Sequence, residues 1–407
     1  MKAVVFHDIG DIRFENVKDP TIQNDFDAIV RLTASAICGT DLHMIRGTLP
    51  GMEPGTILGH EGVGIVEEVG NQVRNFSPGD RVVIPSTLGC GNCSYCRSGY
   101  FSQCDNINPN GPAAGTAFFG GPKQSGPFNG LQAEKARVPF ANINLVKLPP
   151  DVDDDDAILL SDIFPTGYMA AENAEIKPGN SVAVFGCGPV GLFTIASAKL
   201  LDAGRIFAID NIDSRLEMAK DLGAEVINFD REDPVKLLQE LTADIGPDRV
   251  IDAVGVDANR PHSGPAERKS KKEHEGEKKQ VAPEANPKNG NWEPGDAPSQ
   301  VLSWMVETVA KAGTISVIGV YSEKVKGFPI GSAMEKNLTI KMGNCNHRRY
   351  LPELIDLVRS GTVVPSEILT QAEPMTSVIA AYKAFDKRQP GWIKVKLEPE
   401  VPQELAA

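Results

Sequence analysis

The chain has 407 residues, of which 41 are lysine or arginine and 54 aspartate or glutamate, so its formal net charge is −13. This acidic balance disfavours a nucleic-acid partner, because binding phosphates requires a dense basic surface. With 41% apolar and 23% charged residues, the composition excludes disorder throughout and, at this length, predicts two large domains, or three.

The N-terminal sequence MKAVVFHDIGDIRF has no basic segment followed by an apolar one, so we expect no secretory signal. The longest uncharged apolar stretch, residues 182–198, is interrupted by three glycines and a proline. It is shorter than the roughly 20 apolar residues that a membrane span requires. We therefore predict a cytoplasmic protein without a membrane partner.

The sequence pattern changes between the N-terminal part of the chain and the part that follows residue 181. The first 150 residues contain short runs such as AVVF, GVGIVEEVG and DRVVIP between glycines and prolines, which predicts antiparallel strands. From residue 181, apolar strands such as SVAVFG and RIFAID alternate with helical stretches, as in a buried parallel sheet. We predict a β-rich domain over residues 1–163 and 346–407, and a doubly wound domain over residues 164–345.

Two charged segments stand out. Residues 259–300 carry eight basic and seven acidic residues, with Val281 and Trp292 as the only large apolar side chains. This composition predicts a solvated, flexible surface insertion; a subunit contact or an edge of the active-site cleft is the alternative. Residues 151–156 contain five aspartates, which predicts a helix N-terminus rather than a cation site.

Cysteine spacing points to a metal. Seven cysteines are too few for a disulfide scaffold, and four of them follow the spacing C-x2-C-x2-C-x7-C. Four thiolates from one short loop can enclose Zn²⁺ without leaving a position for water. A zinc site of this kind has a structural role. An iron–sulfur cluster or four free thiols are the alternatives. The predicted zinc ligands are Cys90, Cys93, Cys96 and Cys104.

A glycine-rich turn suggests a dinucleotide. Residues 181–191 read SVAVFGCGPVG, so a G-x-G-x-x-G pattern lies between a predicted strand and a predicted helix. Asp210 ends the next strand, where its carboxylate can bind ribose hydroxyls and would repel a 2′-phosphate. We therefore predict NAD rather than NADP; a glycine turn that binds no nucleotide is the alternative. The predicted cofactor-binding residues here are Gly186, Gly188, Pro189, Val190, Gly191, Asp210 and Arg215.

A second metal site is predicted from dispersed residues. Cys38 lies in CGTDLH and His60 in GHEGVG, both in the β-rich domain. A catalytic zinc takes three protein ligands and keeps one position open. We expect Asp162, in SDIFPTGY just before the nucleotide domain, to be the third ligand. Taken singly, these residues are equally well explained as a buried cysteine, a loop histidine and a helix cap.

These motifs occur together in one known family. CGTDLH, GHEGVG, the four-cysteine loop, FPTGY and GCGPVG stand in the order seen in zinc-dependent medium-chain alcohol dehydrogenases, which the chain resembles. It is most similar to the glutathione-independent formaldehyde dehydrogenase group, which shares the aspartate of LSDIFPTGY. The resemblance implies an α/β protein with a GroES-like catalytic domain and a Rossmann domain, two zinc ions and NAD in each subunit, and a homo-dimer or homo-tetramer.

The resemblance also implies roles at the catalytic metal. Cys38, His60 and Asp162 match the zinc ligands, and Glu61 resembles an acid that approaches the metal during exchange. Because Asp162 replaces a thiolate with an oxygen ligand, we expect this zinc to be held less tightly than the four-cysteine zinc.

Four further residues match the proton relay and the coenzyme site. Thr40 matches the hydroxyl that accepts the alcohol proton, and His43 the distal relay group reached through the nicotinamide ribose. Thr166 is similar to a residue that faces the nicotinamide. Lys394 falls where a basic residue meets the pyrophosphate.

The sequence thus predicts a zinc-dependent oxidoreductase that transfers hydride between a small alcohol or aldehyde hydrate and NAD, as formaldehyde dehydrogenases do. A polyol, 2,3-diol or broad-specificity alcohol dehydrogenase is the alternative, because Ser86 leaves room where relatives often carry a bulky side chain. A zinc-free NADPH-dependent reductase would lack both metal motifs. A non-catalytic, NAD-sensing protein would lack the ligands or Thr40.

Overall fold

The computed structural model describes residues 1–400. Short β-branched runs form strands in both halves of the chain, and the longer amphipathic stretches form helices. In chain order the strands are β1 (Lys2–Asp8), β2 (Asp11–Asn16), β3 (Ala28–Ile37), β4 (Gly62–Val69), β5 (Arg81–Ile84), β6 (Lys135–Val138), β7 (Val146–Lys147), β8 (Ser181–Phe185), β9 (Arg205–Asp210), β10 (Glu225–Asn228), β11 (Arg249–Asp252), β12 (Thr314–Val317), β13 (Thr339–Met342), β14 (Gln371–Pro374) and β15 (Val395–Glu398).

Helices connect the strands and cover the second sheet. Short 3₁₀ turns occupy Phe101–Gln103, Lys123–Ser125, Gly255–Asp257, Pro365–Ile368 and Met375–Ser377. The α-helices are α1 (Gly39–Arg46), α2 (Ser94–Arg97), α3 (Ala141–Asn144), α4 (Asp154–Leu160), α5 (Ile163–Asn173), α6 (Pro189–Leu200), α7 (Asp213–Asp221), α8 (Pro234–Leu241), α9 (Glu267–Glu273), α10 (Glu277–Val281), α11 (Gln300–Thr308), α12 (Ile330–Glu335), α13 (His347–Arg359) and α14 (Val378–Asp386). Among the described residues, no helix is both long enough and apolar enough to cross a membrane.

The first sheet is built around β3. Its order is β14-β15-β3-β4-β5-β7, and β6 also pairs with β3. β3 pairs antiparallel with β4, β6 and β15 and is buried along most of its length. β3 ends at Ile37, so Cys38 directly follows a strand that is fixed by pairing with three other strands. The predicted β-rich domain is confirmed, and β14 and β15 return to it from the end of the chain.

The second sheet is parallel, with the order β10-β9-β8-β11-β12-β13. Its central strands are buried, as their nearly continuous apolar sequences predict. The strand order reverses between β8 and β11, which is where doubly wound sheets form a ligand crevice beyond their carboxyl ends. The predicted doubly wound α/β fold is confirmed. The domain limits at 163/164 and 345/346 stay a prediction.

The charged segment 259–300 corrects one prediction. Instead of an uninterrupted solvated loop, it contains α9 and α10 and buries both Val281 and Trp292. Trp292 joins the apolar cluster that includes Ile12 and Tyr382 of the first domain. The two large apolar residues therefore act as anchors, which composition averaged over the segment conceals. The acidic run, in contrast, does begin a helix, since Asp153 caps α4 by accepting a hydrogen bond from Asp156 N.

Candidate active site in the interdomain cleft

The four-cysteine loop brings its sulfur atoms together as predicted. The four Sγ atoms lie within 4.8 Å of one another, and Cys93 Sγ lies 3.9 Å from Cys104 Sγ. A zinc tetrahedron with Zn–S bonds of about 2.3 Å has sulfur–sulfur edges of about 3.8 Å. None of these cysteines forms a disulfide. The donor set therefore fits a structural zinc.

Backbone amides of the same loop point at the thiols. Cys90 Sγ accepts from Cys93 N, Cys93 Sγ from Cys96 N, and Cys104 Sγ from Cys90 N, at 3.2–3.4 Å. Burial opposes ionisation of Cys93, but the Cys96 N–H and the other donors lower its pKa to about 7. Thiolate is the form that binds metal. The loop thus supplies part of the stabilisation of its own ligands.

The second cluster gathers side chains from three loops. Cys38 caps α1, His60 precedes β4, and Asp162 lies at the N-terminus of α5. Asp162 Oδ2 is 3.7 Å from Cys38 Sγ and 3.2 Å from His60 Nε2. Tetrahedral zinc with these donors requires edges of about 3.6 and 3.4 Å. The three predicted ligands therefore converge on a volume that fits one zinc ion.

One carboxylate, of Asp41, and one imidazole, of His347, lie against these ligands. Asp41, inside the CGTDLH motif, accepts a hydrogen bond from Cys38 N at 3.0 Å and lies 3.3 Å from His60 Nδ1. His347 Nε2 lies 2.6 Å from Asp162 Oδ1. The neighbouring imidazoles of His347 and His60 hold the pKa of Asp162 well below its usual range, although burial opposes this shift. Sequence reasoning missed Asp41 and His347 as partners of the metal ligands.

Glu61, which has a carboxylate oxygen within 4.8 Å of the three predicted ligand atoms, forms a buried pair with Lys394. Both side chains are fully buried, and Lys394 Nζ donates to both Glu61 oxygens at 2.6 Å and to Ile37 O at 3.2 Å. Burial raises the pKa of Glu61 to about 7, even though Lys394 opposes the rise. The structure therefore gives the Lys394 amine a partner other than the predicted pyrophosphate.

The glycine turn forms a cradle at the end of β8. Gly186 has φ +92°, and a Cβ at Gly191 would lie 1.9 Å from the Gly186 carbonyl oxygen. Beyond Gly188, α6 begins with Pro189 and no capping side chain, which leaves amide donors for an anion. Asp210 Oδ2 accepts from Cys187 N at 2.8 Å. Gly188, Pro189, Val190, Asp210 and Arg215 all line one cleft.

The same cleft reaches the metal cluster. Its volume is about 470 Å³, and Cys38, Thr40, His60 and Asp162 line it together with Thr166. His43 also lines it, with Nδ1 2.7 Å from Asp257 Oδ2. Asp257 was not predicted, because it follows β11 of the other domain and nothing in the local sequence links it to His43. A dinucleotide turn and an open metal cluster thus share one space.

A doubly wound parallel sheet, a cluster of four cysteines and a second candidate metal cluster of Cys38, His60, Glu61 and Asp162 in the cleft are the features of a zinc-dependent dehydrogenase. Residues 24–150 match the family model for the alcohol dehydrogenase GroES-like domain, and residues 189–262 match that for zinc-binding dehydrogenase. The chain belongs to the zinc-dependent medium-chain alcohol dehydrogenase family.

Relatives along the whole chain support this assignment. An uncharacterized zinc-type alcohol dehydrogenase-like protein of Bacillus subtilis is 37% identical over 98% of this chain and 100% of its own. The glutathione-independent formaldehyde dehydrogenase of Pseudomonas aeruginosa is 33% identical over 84% of this chain and 80% of its own. The alcohol dehydrogenase TADH from Thermus sp. ATN1 superposes with a TM-score of 0.80, at 35% identity, over 98% of this chain and 100% of its own.

Proposed function

We propose that the protein oxidises a small alcohol or aldehyde hydrate with NAD. The observation that carries the proposal is the single cleft shared by the Cys38–His60–Asp162 cluster and the glycine turn. When bound, zinc would supply the Lewis acidity that promotes loss of the substrate proton, and NAD would accept the hydride. Both zinc ions of each subunit would be held by the two clusters described above.

Helix α1 supplies the proton path in this proposal. Thr40 and His43 are three residues apart on α1, so they lie on one face of the helix, and both line the cleft. Thr40 Oγ1 accepts the proton from the substrate hydroxyl, and His43 receives it at the far end of the relay. Thr166, which donates a hydrogen bond to Asp162 Oδ1 at 3.1 Å, faces the nicotinamide.

Asp210 supports NAD over NADP. Its Oδ1 accepts from Asn211 N and Ile212 N, so the carboxylate is fixed at the end of β9. The nearest guanidinium nitrogen, of Arg215, is 3.9 Å away, which leaves negative charge to repel a 2′-phosphate. We expect Asp210→Asn to raise kcat/KM for NADP relative to NAD about tenfold, or about 1.4 kcal/mol. Asp213→Asn, which removes an exposed charge nearby, is the matched control and should leave the ratio unchanged.

Formaldehyde dehydrogenase-like oxidation is the first substrate candidate. Asp162 stands where that group also carries aspartate, and one of the relatives above bears that activity in its name. A polyol or 2,3-diol is the second candidate, because hydroxyl and amide side chains line the cleft. These polar residues are Thr40, Ser86, Thr87, Thr116, Gln124, Ser125 and Asn344.

A substrate panel with metal counting tests the proposal. Formaldehyde, primary alcohols, 2,3-diols and longer polyols would be supplied with NAD, and reduction of the nicotinamide followed by absorbance. The expected result is turnover of at least one class together with two zinc ions in each chain. A chain that contains two zinc ions but oxidises none of these classes, or that turns them over after complete removal of zinc, contradicts the proposal.

We also propose a homo-dimer or homo-tetramer in the cytoplasm. β13 is the last strand of its sheet among the described residues, and Met342, Ile330 and Met334 near it are 65%, 61% and 72% exposed. Exposed apolar side chains at an unpaired edge favour association. Light scattering on the purified protein should give two or four copies. Cell fractionation tests the location.

A further inference from the structure

We infer that Asp257 is a positioning residue for His43: its carboxylate fixes the imidazole tautomer whose Nε2 is free to accept the relayed proton. This inference rests on the proposed function, since it concerns how the relay histidine is prepared. Asp257 lines the cleft but is not one of the residues of the candidate metal cluster. It acts only through His43.

The contact between the two residues determines the tautomer. His43 Nδ1 lies 2.7 Å from Asp257 Oδ2, and both side chains are buried. A carboxylate has acceptors only, so the hydrogen must lie on Nδ1. A neutral imidazole then keeps its lone pair on Nε2. The residues are 214 positions apart and come from different domains, so the contact is made by tertiary structure.

The surroundings keep Asp257 ionised. Arg46 Nη1 donates to Asp257 Oδ2 at 2.8 Å, and Gly295 N donates to Oδ1 at 3.1 Å. Burial opposes ionisation, but the Arg46 guanidinium and the His43 imidazole hold the pKa of Asp257 well below its usual range. A carboxylate in this state remains an acceptor for the Nδ1 hydrogen throughout the neutral range.

Other charged groups border this pair. Arg46 also donates from Nε and Nη2 to Asp386 Oδ1, at 3.0 and 2.7 Å. Asp386 in turn accepts from Trp292 N at 2.8 Å and from Asn291 Nδ2 at 2.9 Å. Segment 259–300 therefore supplies donors to both carboxylates that hold Arg46. Arg388 also lies close enough to Asp257 for their charges to interact. Arg215 and Asp210 are the further charged groups that act on Arg388.

A purely structural role in the buried ion network would also explain why Asp257 is charged and buried. The experiment must therefore distinguish this role from the positioning of His43. Asp257→Asn removes the negative charge beside Nδ1, which weakens the acceptor for the Nδ1 hydrogen and no longer stabilises the imidazolium that His43 becomes when it takes the proton. Asp386→Asn is the matched control, because it removes the other carboxylate of the same arginine without touching His43. Both variants should lower thermal stability to a similar extent.

Kinetics distinguish positioning from structure. General base catalysis contributes roughly 10² to 10⁴-fold, so we expect Asp257→Asn to lower kcat at pH 7 by about 10- to 100-fold, with KM for NAD within about threefold. The loss should shrink as pH rises, because hydroxide replaces the relay, and added imidazole should restore part of the rate. Asp386→Asn should keep the wild-type pH profile and show no rescue.

A double-mutant cycle with His43→Gln completes the test. If Asp257 acts through His43, adding Asp257→Asn to His43→Gln should change kcat less than twofold. A full additional loss in the double variant, an unchanged pH profile in Asp257→Asn, or the same profile change in Asp386→Asn would overturn the inference. If Asp257→Asn does not fold, Asp257→Ser, which also removes the carboxylate, replaces it in the same cycle with the same expected outcome. A wild-type protein inactive on every alcohol and aldehyde would instead reject the proposed function.

Discussion

The two metal clusters are built in opposite ways. The four cysteines lie in one loop of the sequence, and amides of that loop donate to their sulfur atoms. Cys38 and Asp162 are 124 residues apart, and each ligand of that cluster depends on neighbours such as Asp41 and His347. A local site can enclose an ion by itself, whereas a site assembled from tertiary contacts can leave one position open to a cleft. A metal site that is open to substrate therefore depends on contacts from distant parts of the chain.

Loss of a cleft ligand should have the largest effect on catalysis. We expect Cys38→Ser or His60→Ala to lower kcat by about 10³-fold or more, because several kcal/mol of transition-state stabilisation depend on this ion. Affinity for NAD, measured by fluorescence titration, should stay within a few-fold. His7→Ala alters a histidine outside the cleft and is the control. Turnover retained by either ligand variant would contradict the role of the cluster.

Loss of a loop ligand should act on stability instead. Structural zinc contributes folding free energy directly. Cys93→Ser should therefore remove one zinc from each chain and lower the free energy of unfolding by several kcal/mol. The fraction that stays folded should keep a kcat within a few-fold of wild type. A large fall in kcat without a change in stability would mean that the two clusters do not divide their roles in this way.

Retention of the two ions should differ by a smaller but measurable amount. During timed chelation we expect the cleft zinc of the wild type to leave before the four-cysteine zinc. His347→Asn should speed that first loss by about 10- to 100-fold, the range found when partners of metal ligands are removed. His7→Asn serves as the control. Simultaneous loss of both ions, or no change in His347→Asn, would count against the proposed dependence on tertiary neighbours.

Local pattern predicted much of this molecule. The four-cysteine spacing, the glycine turn and the alternation of apolar strands with helices each depend on residues that are close in sequence. For this reason the parallel sheet follows the prediction, with Gly186 and Gly191 in the turn and helix after β8 and Asp210 at the end of β9.

The residues that sequence reasoning missed depend on tertiary contacts. Asp257 contacts His43 across two domains, and His347 contacts Asp162 although the two are 185 residues apart, so no spacing in the sequence encodes such pairs. In segment 259–300, two short helices and the buried Val281 and Trp292 were not predicted, because an average over the segment is polar. Lys394 was assigned by analogy, and its actual partner, Glu61, became visible only when β15 was placed beside β3.

A zinc-edge anomalous difference map of crystals of the purified protein would test the convergence of the three ligands most directly. We predict two peaks in each chain, one among the four cysteine sulfurs and one within about 2.0–2.3 Å of Cys38 Sγ, His60 Nε2 and an Asp162 oxygen. A map in which these three side chains share no peak would contradict the account.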